Sequence, residues 1–171
     1  ATRIACQTEN LTTKEPDLSF VNRADSMDSD ADVVVVFGGT NDFGHGDAKL
    51  GTFESRDPYT FYGAMHVLCE KLIHRFPNAD ILFMTPLHRC SENEALKENG
   101  LPEETNLAGY VSIIREVAEF YGLPVLDLFS TSGLQPKVDI IKETYMPDGL
   151  HPSDAGALRI ALRHMGFLQT L

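Results

Sequence analysis

Two short stretches of this 171-residue sequence hold side chains whose types and spacing fit acid–base and oxyanion chemistry. The first is Gly38-Gly39-Thr40-Asn41-Asp42, which continues through Phe43, Gly44 and His45 to Gly46. Paired glycines let a backbone turn sharply and leave room for a substrate to come close. The Asn41 amide that follows is a hydrogen-bond donor suited to a developing oxyanion, and removing one such donor costs roughly 100- to 1000-fold in rate in a known case. The second stretch is Asp148-Gly149-Leu150-His151-Pro152. A carboxylate three residues before an imidazole can accept from one ring nitrogen and fix the tautomer. The other nitrogen is then free to take a proton from a hydroxyl nucleophile. Each stretch also has a plainer reading. Asn41 and Asp42 suit an Asx-type turn, and an isolated Asp-x-x-His is more often a turn residue beside a surface histidine. The case for chemistry rests on whether the fold brings the two together.

The elements that would position them are legible from hydrophobic patterning. Val33-Val34-Val35-Val36-Phe37 runs straight into Gly38-Gly39 without polar alternation, which predicts a strand buried on both faces of a parallel sheet. Ile81-Leu82-Phe83-Met84 and Val125-Leu126-Asp127-Leu128 are two further strand runs. Between them Phe61, Met65, Leu68 and Leu72 mark one buried helix face. Leu107, Val111, Ile114, Val117 and Tyr121 mark a second, stopped by Gly122 and Pro124. Near the end, Ser153 or Asp154 fits an N-cap, followed by an apolar stripe of Leu158, Ala161, Leu162 and Met165. The first thirty residues are polar and irregular apart from a short helix around Leu18, Phe20 and Val21. Strand–helix alternation of this kind predicts one α/β domain over residues 1–171 with a parallel sheet. Ligands in such folds bind at the carboxyl ends of the strands. Both motifs fall at that edge: Asn41 after the first strand, and His151 in the turn before the last helix.

Composition narrows the function classes. The 14 Lys and Arg against 25 Asp and Glu leave a net charge of −11, and no basic cluster exists to contact phosphates, so nucleic acid and anionic membrane are not expected partners. The longest apolar run, at 33–37, is far too short to span a bilayer. Cys6, Cys69 and Cys90 show neither disulfide-framework nor zinc-type spacing, and with no export segment they point to the cytoplasm. Asp42, His45, Asp47 and His88 are conceivable metal ligands but contain no pair at helix spacing, so no metal and no other cofactor are expected. His88 and Cys90, two apart on one loop, have poor geometry for proton transfer. His66, His74 and His164 fall in helices as surface or packing residues, and Cys69 reads as a small core residue. Glu54, Arg56 and Asp57 read as a solvated face before a helix opened by Pro58.

Gly39-Thr40-Asn41-Asp42 together with Asp148-Gly149-Leu150-His151 resembles the SGNH hydrolase family, the GDSL esterases and lipases. Its third block reads Gly-x-Asn-Asp and its last Asp-x-x-His; residues 37–46 and Thr85-Pro86-Leu87 also look like its small single-domain members. The resemblance covers roughly the whole chain and implies a three-layer α/β/α, flavodoxin-like fold. It implies a serine-type hydrolase of a small-molecule or carbohydrate ester acting through an acyl-enzyme. In it His151 is the general base, Asp148 its orienting acid, Asn41 the oxyanion donor, and Gly39 and Thr40 part of the substrate loop. One part of the pattern is missing: none of the nine serines follows Gly-Asp, and Gly46-Asp47 is followed by Ala48. The nucleophile therefore has no counterpart, and the alternative is a non-catalytic binding module on the same fold. Thr2-Arg3-Ile4-Ala5 resembles the stretch just after the family's second block. The expectation is an upstream segment of roughly 40 to 50 residues, within ordinary domain size, in this polypeptide or supplied by another. Without it the strand at 33–37 has an unpaired edge open to homo-oligomeric or other strand pairing.

Overall fold

Three parallel strands carry the architecture in the computed structural model, which describes residues 2–7, 18–45, 48–93 and 105–171. Gly46 and Asp47 lie outside the described residues. Strand β1 (Val33–Phe37) pairs with β2 (Asp80–Met84), and β2 with β3 (Val125–Leu126), in the order β1-β2-β3. Helix α1 (Phe20–Arg23) precedes the sheet, and the crossovers run through α2 (Thr40–His45), α3 (Phe61–Arg75) and α4 (Leu107–Phe120). Helices α5 (Leu128–Thr131), α6 (Asp139–Tyr145) and α7 (Asp154–Leu168) follow β3. Partners in a parallel ladder point to the same face. Val34 and Val36, with their partners Ile81 and Phe83, pack into a core with α1, α3 and α4. Leu82, Met84 and Leu126 point the other way, into a second cluster closed by Met146, Tyr145, Ile160 and Phe167. Helices thus cover both faces of a parallel sheet, the α/β arrangement expected.

Each long helix begins where a side chain satisfies a free N–H. Thr60 accepts from Gly63 N, Asn106 from Gly109 N, and Ser153, rather than Asp154, from Gly156 N. The two expected helix faces, Phe61-Met65-Leu68-Leu72 and Leu107-Val111-Ile114-Val117, are fully or almost fully buried. Cys69 is a core residue, and His66 is buried too, its Nδ1 3.1 Å from the Tyr121 hydroxyl.

Four expectations change. Strand β1 is not buried on both faces: Val33, Val35 and Phe37 are 44%, 40% and 44% exposed. They share the face of Leu82 and Met84, but the helices that cover β2 there do not reach β1, which is the edge strand among the described residues. The stripe on α7 faces outward as well, with Leu158, Leu162 and Met165 each about 60% exposed. The helix seats through Gly156, Ile160 and Phe167 instead, roughly half a turn away. A Cβ on Gly156 would stand 2.5 Å from the Tyr145 carbonyl oxygen, so glycine sets this close approach to α6. Strand β3 ends at Leu126 because the Asp127 carboxylate caps α5, accepting from Ser130 N at 3.2 Å and from Thr85 Oγ1 at 2.9 Å. The residues after Gly39 are not a loop: Thr40–His45 form helix α2.

Candidate active site

The turn before α7 is built around Asp148. Its Oδ1 accepts from Leu150 N at 2.8 Å and His151 N at 2.7 Å, closing an Asx-type turn. Its Oδ2 lies 2.7 Å from His151 Nδ1. One carboxylate therefore shapes the turn and orients the ring in the same step, leaving Nε2 as the imidazole nitrogen for proton transfer. The His151 ring contact, with the two backbone N–H groups, holds the Asp148 carboxyl well below the usual carboxylate range, so it stays ionised while an imidazole titrates.

Gly149 makes this turn possible. Its φ of +77° lies in the left-handed region, and a Cβ there would meet Cys90 Sγ at 2.5 Å. The loop after β2 is tied to the same point, since Cys90 N donates to the Gly149 carbonyl at 2.9 Å. Gly149→Ala is expected to destabilise the fold by about 2 kcal/mol, from left-handed backbone strain and displacement of the Cys90 thiol. Thermal unfolding should move down by roughly 4–8 °C; an unchanged midpoint would contradict this account of the turn.

Asn41 sits in the first turn of α2, directly after β1. Gly39, with φ +100°, turns the chain there while packed against Ile114 and Pro86. The Asn41 Nδ2 donates to the Thr2 carbonyl at 2.9 Å. Asn41 and His151 line one cavity of about 160 Å³, together with Thr40 and Gly38 and with walls from Phe37, Pro86, Leu87, Leu150 and Pro152. Asp148 stands behind His151 rather than in the lining. Gly39 is buried and is not in the lining either. The two motifs thus share one cleft at the carboxyl edge of the sheet. The apolar walls after β2 and around Pro152 have no chemical signature of their own in the sequence. They become visible only when the strands are aligned.

The remaining candidates lie apart from this cleft. Among the described residues no serine lines it; Thr40 brings a hydroxyl-bearing side chain to the lining. Ser130 Oγ accepts from Arg115 at 2.8 Å, and Ser132 is buried, its Oγ accepting from Leu134 N. His88 Nδ1 lies 2.7 Å from Glu92, whose other oxygen meets Lys137 at 3.1 Å, and Cys90 Sγ faces the Pro136 carbonyl. Asp42 binds two backbone N–H groups, and Asp47 lies outside the described residues. Among the described residues no three His, Cys, Asp or Glu side chains converge as metal ligands. Among them, too, no helix is long and apolar enough to cross a membrane.

A parallel sheet covered by helices, with an Asp–His pair and a neighbouring side-chain amide at one cleft on its carboxyl edge, is the SGNH hydrolase fold. The model of the GDSL-like lipase/acylhydrolase family matches residues 6–159, and the chain belongs to that family of ester hydrolases. One solved structure is 38% identical, with a TM-score of 0.82, covering 99% of this chain and 76% of its own. A protein from Lactobacillus plantarum is 28% identical with a TM-score of 0.83, covering 99% and 77%. A protein described as a GDSL-like lipase from Bacteroides ovatus shares the fold at 22% identity, TM-score 0.63, covering 99% and 68%. No curated protein matches the chain.

Proposed function

We propose that this domain supplies the general base, its orienting acid and an oxyanion donor to a serine-type ester hydrolase. The observation that carries the reading is that His151, its Nδ1 held by Asp148, lines the same cavity as Asn41. In this mechanism a serine hydroxyl attacks the ester carbonyl and passes its proton to His151 Nε2, while the carbonyl oxygen becomes an oxyanion stabilised by the Asn41 amide. The tetrahedral adduct collapses, the alcohol leaves with the proton from His151, and water activated by the same imidazole releases the acid and restores the serine. The serine belongs to a further parallel strand, in this polypeptide or in a second one, seated along the free edge of β1. Three features support that seat. The backbone edge is unpaired among the described residues, Val33, Val35 and Phe37 are bare beside it, and Phe37 at its carboxyl end lines the cleft. The substrate in this reading is a small-molecule or carbohydrate ester.

Fluorophosphonate labelling tests this. The 171-residue chain by itself should take up no probe and leave a p-nitrophenyl ester at its background rate. The protein isolated from its source should be labelled on a serine outside these residues. Labelling of any of the nine serines here would overturn the assignment of the nucleophile. A source protein with the mass of these 171 residues, monomeric and unlabelled, would shift the reading to a binding module.

A further inference from the structure

Asp42, next to the candidate oxyanion donor, has no exposed surface. Its Oδ2 accepts from Ile4 N at 3.1 Å and its Oδ1 from Ala5 N at 2.9 Å. Asn41, one residue earlier on α2, donates to the Thr2 carbonyl of the same segment at 2.9 Å. Two consecutive side chains of one helical turn therefore grip a single short stretch, which bends at Ile4 and Ala5, at three points. The seat is shaped for it. A Cβ on Gly38 would lie 2.9 Å from Ile4 Cγ1 and 2.7 Å from Phe20 Cε2, so the glycine admits Ile4 over the end of β1. Ile4 and Ala5 are completely buried.

We propose that Asp42 is a positioning residue for Asn41: it clamps the segment at 2–5, whose Thr2 carbonyl orients the Asn41 amide towards the cleft. This rests on the reading of Asn41 as oxyanion donor. An asparagine amide carries two N–H hydrogens and one oxygen. With the Thr2 carbonyl at 2.9 Å, the flipped amide would set two acceptor oxygens against each other, so Nδ2 must face Thr2. That bond uses one hydrogen and leaves the other for the cavity that Asn41 lines. The orientation is only as firm as the Thr2 carbonyl. Thr2 and Arg3 are half-buried, and the carbonyls of Arg3 and Ile4 are held by Phe20 N and Val21 N. The N–H side, facing α2, is held by Asp42. Two carboxylate oxygens serve both N–H groups, where an amide has a single acceptor oxygen.

Solvent exchange of the Asn41 side-chain amide tests the clamp directly on the 15N-labelled chain, with the signal assigned by its loss in Asn41→Ala. In the unaltered chain exchange should be about five- to tenfold slower than for the exposed Asn78, as one hydrogen bond of ordinary net strength implies. Asp42→Ala should bring it to the rate of Asn78, and Asp42→Asn, which keeps one acceptor, should give partial protection. In both variants the His151 Nδ1–H signal should remain as in the unaltered chain, because the Asp148 turn is separate. Unchanged Asn41 protection in Asp42→Ala overturns the proposal, as does its absence in the unaltered chain. Should Asp42→Ala fail to fold, unchanged protection in Asp42→Asn overturns it equally. Failure of the hydrolase reading would be seen in probe labelling and ester turnover and would leave these exchange rates as they are.

Discussion

His151→Ala should lower kcat/KM for a short-chain p-nitrophenyl ester by about 10⁴-fold or more in the labelled, nucleophile-bearing protein. Without the imidazole, the attacking hydroxyl has no acceptor for its proton and the leaving alkoxide no donor, so both halves of the reaction lose the same group. Asn41→Ala should instead lower kcat roughly 100- to 1000-fold with little change in KM, because the oxyanion exists in the transition state and not in the bound ester. The Asp148 carboxyl, held low by its contact with the His151 ring and by two backbone N–H groups, remains ionised throughout imidazole titration. The rate profile near neutral pH should therefore carry no contribution from Asp148. Steady-state kinetics of the two variants and a pH series check this. An unchanged kcat/KM in His151→Ala would remove His151 from the chemistry.

The sequence made the two motifs visible because their chemistry depends on residue type at short spacing. Asp148 and His151 meet through a local turn, which three residues and one glycine suffice to specify. Their convergence with Asn41 was legible from the valine strand and the final helix, since the carboxyl edge of a parallel sheet is a place that topology alone defines. What could not be read was partnership across long separation. The valine run looks equally apolar at every position, so nothing in it distinguishes Val34 and Val36, which α3 and α4 cover, from Val33 and Val35, which the described residues leave bare. Leu158, Leu162 and Met165 form a faultless helical stripe, yet the helix packs through Gly156 because a missing side chain permits the closer approach. Asp127 sat inside a run of strand formers, and its capping of α5 outweighed them. Asp42 read as a turn residue for the same reason: its partners Ile4 and Ala5 are 38 and 37 residues away.

That long-range contact gives Asp42 a signature in the pH dependence of stability. Burial pushes its carboxyl up from 3.8 to about 6, against the opposing pull of the Ala5 and Ile4 N–H groups and of Arg3. Between those two values the folded chain keeps a proton that the unfolded chain has released. Stability then falls as pH rises through the window, fully present below the unfolded value and lost above the folded one. With about 1.4 kcal/mol per pKa unit, the whole shift amounts to roughly 3 kcal/mol, nearly all of it lost by pH 7. Other carboxylates pull the total the other way: Asp127 and Glu92 are held low by Arg115 and by His88 and Lys137, and they lose stability as pH falls. The contribution of Asp42 is therefore isolated by comparison with Asp42→Asn, which shares every other titrating group and carries no charge at any pH. Denaturant unfolding of the two proteins at pH 4.5 and pH 7 should show the aspartate form gaining on the asparagine form as the solution is made acidic. The gain should be about 2 kcal/mol over that range, the part of the window it spans. A difference that stays flat with pH would mean that the buried carboxyl titrates as it does in the unfolded chain. A difference that grows towards neutral pH would mean that the two backbone N–H groups outweigh burial and that the clamp is strongest as a carboxylate.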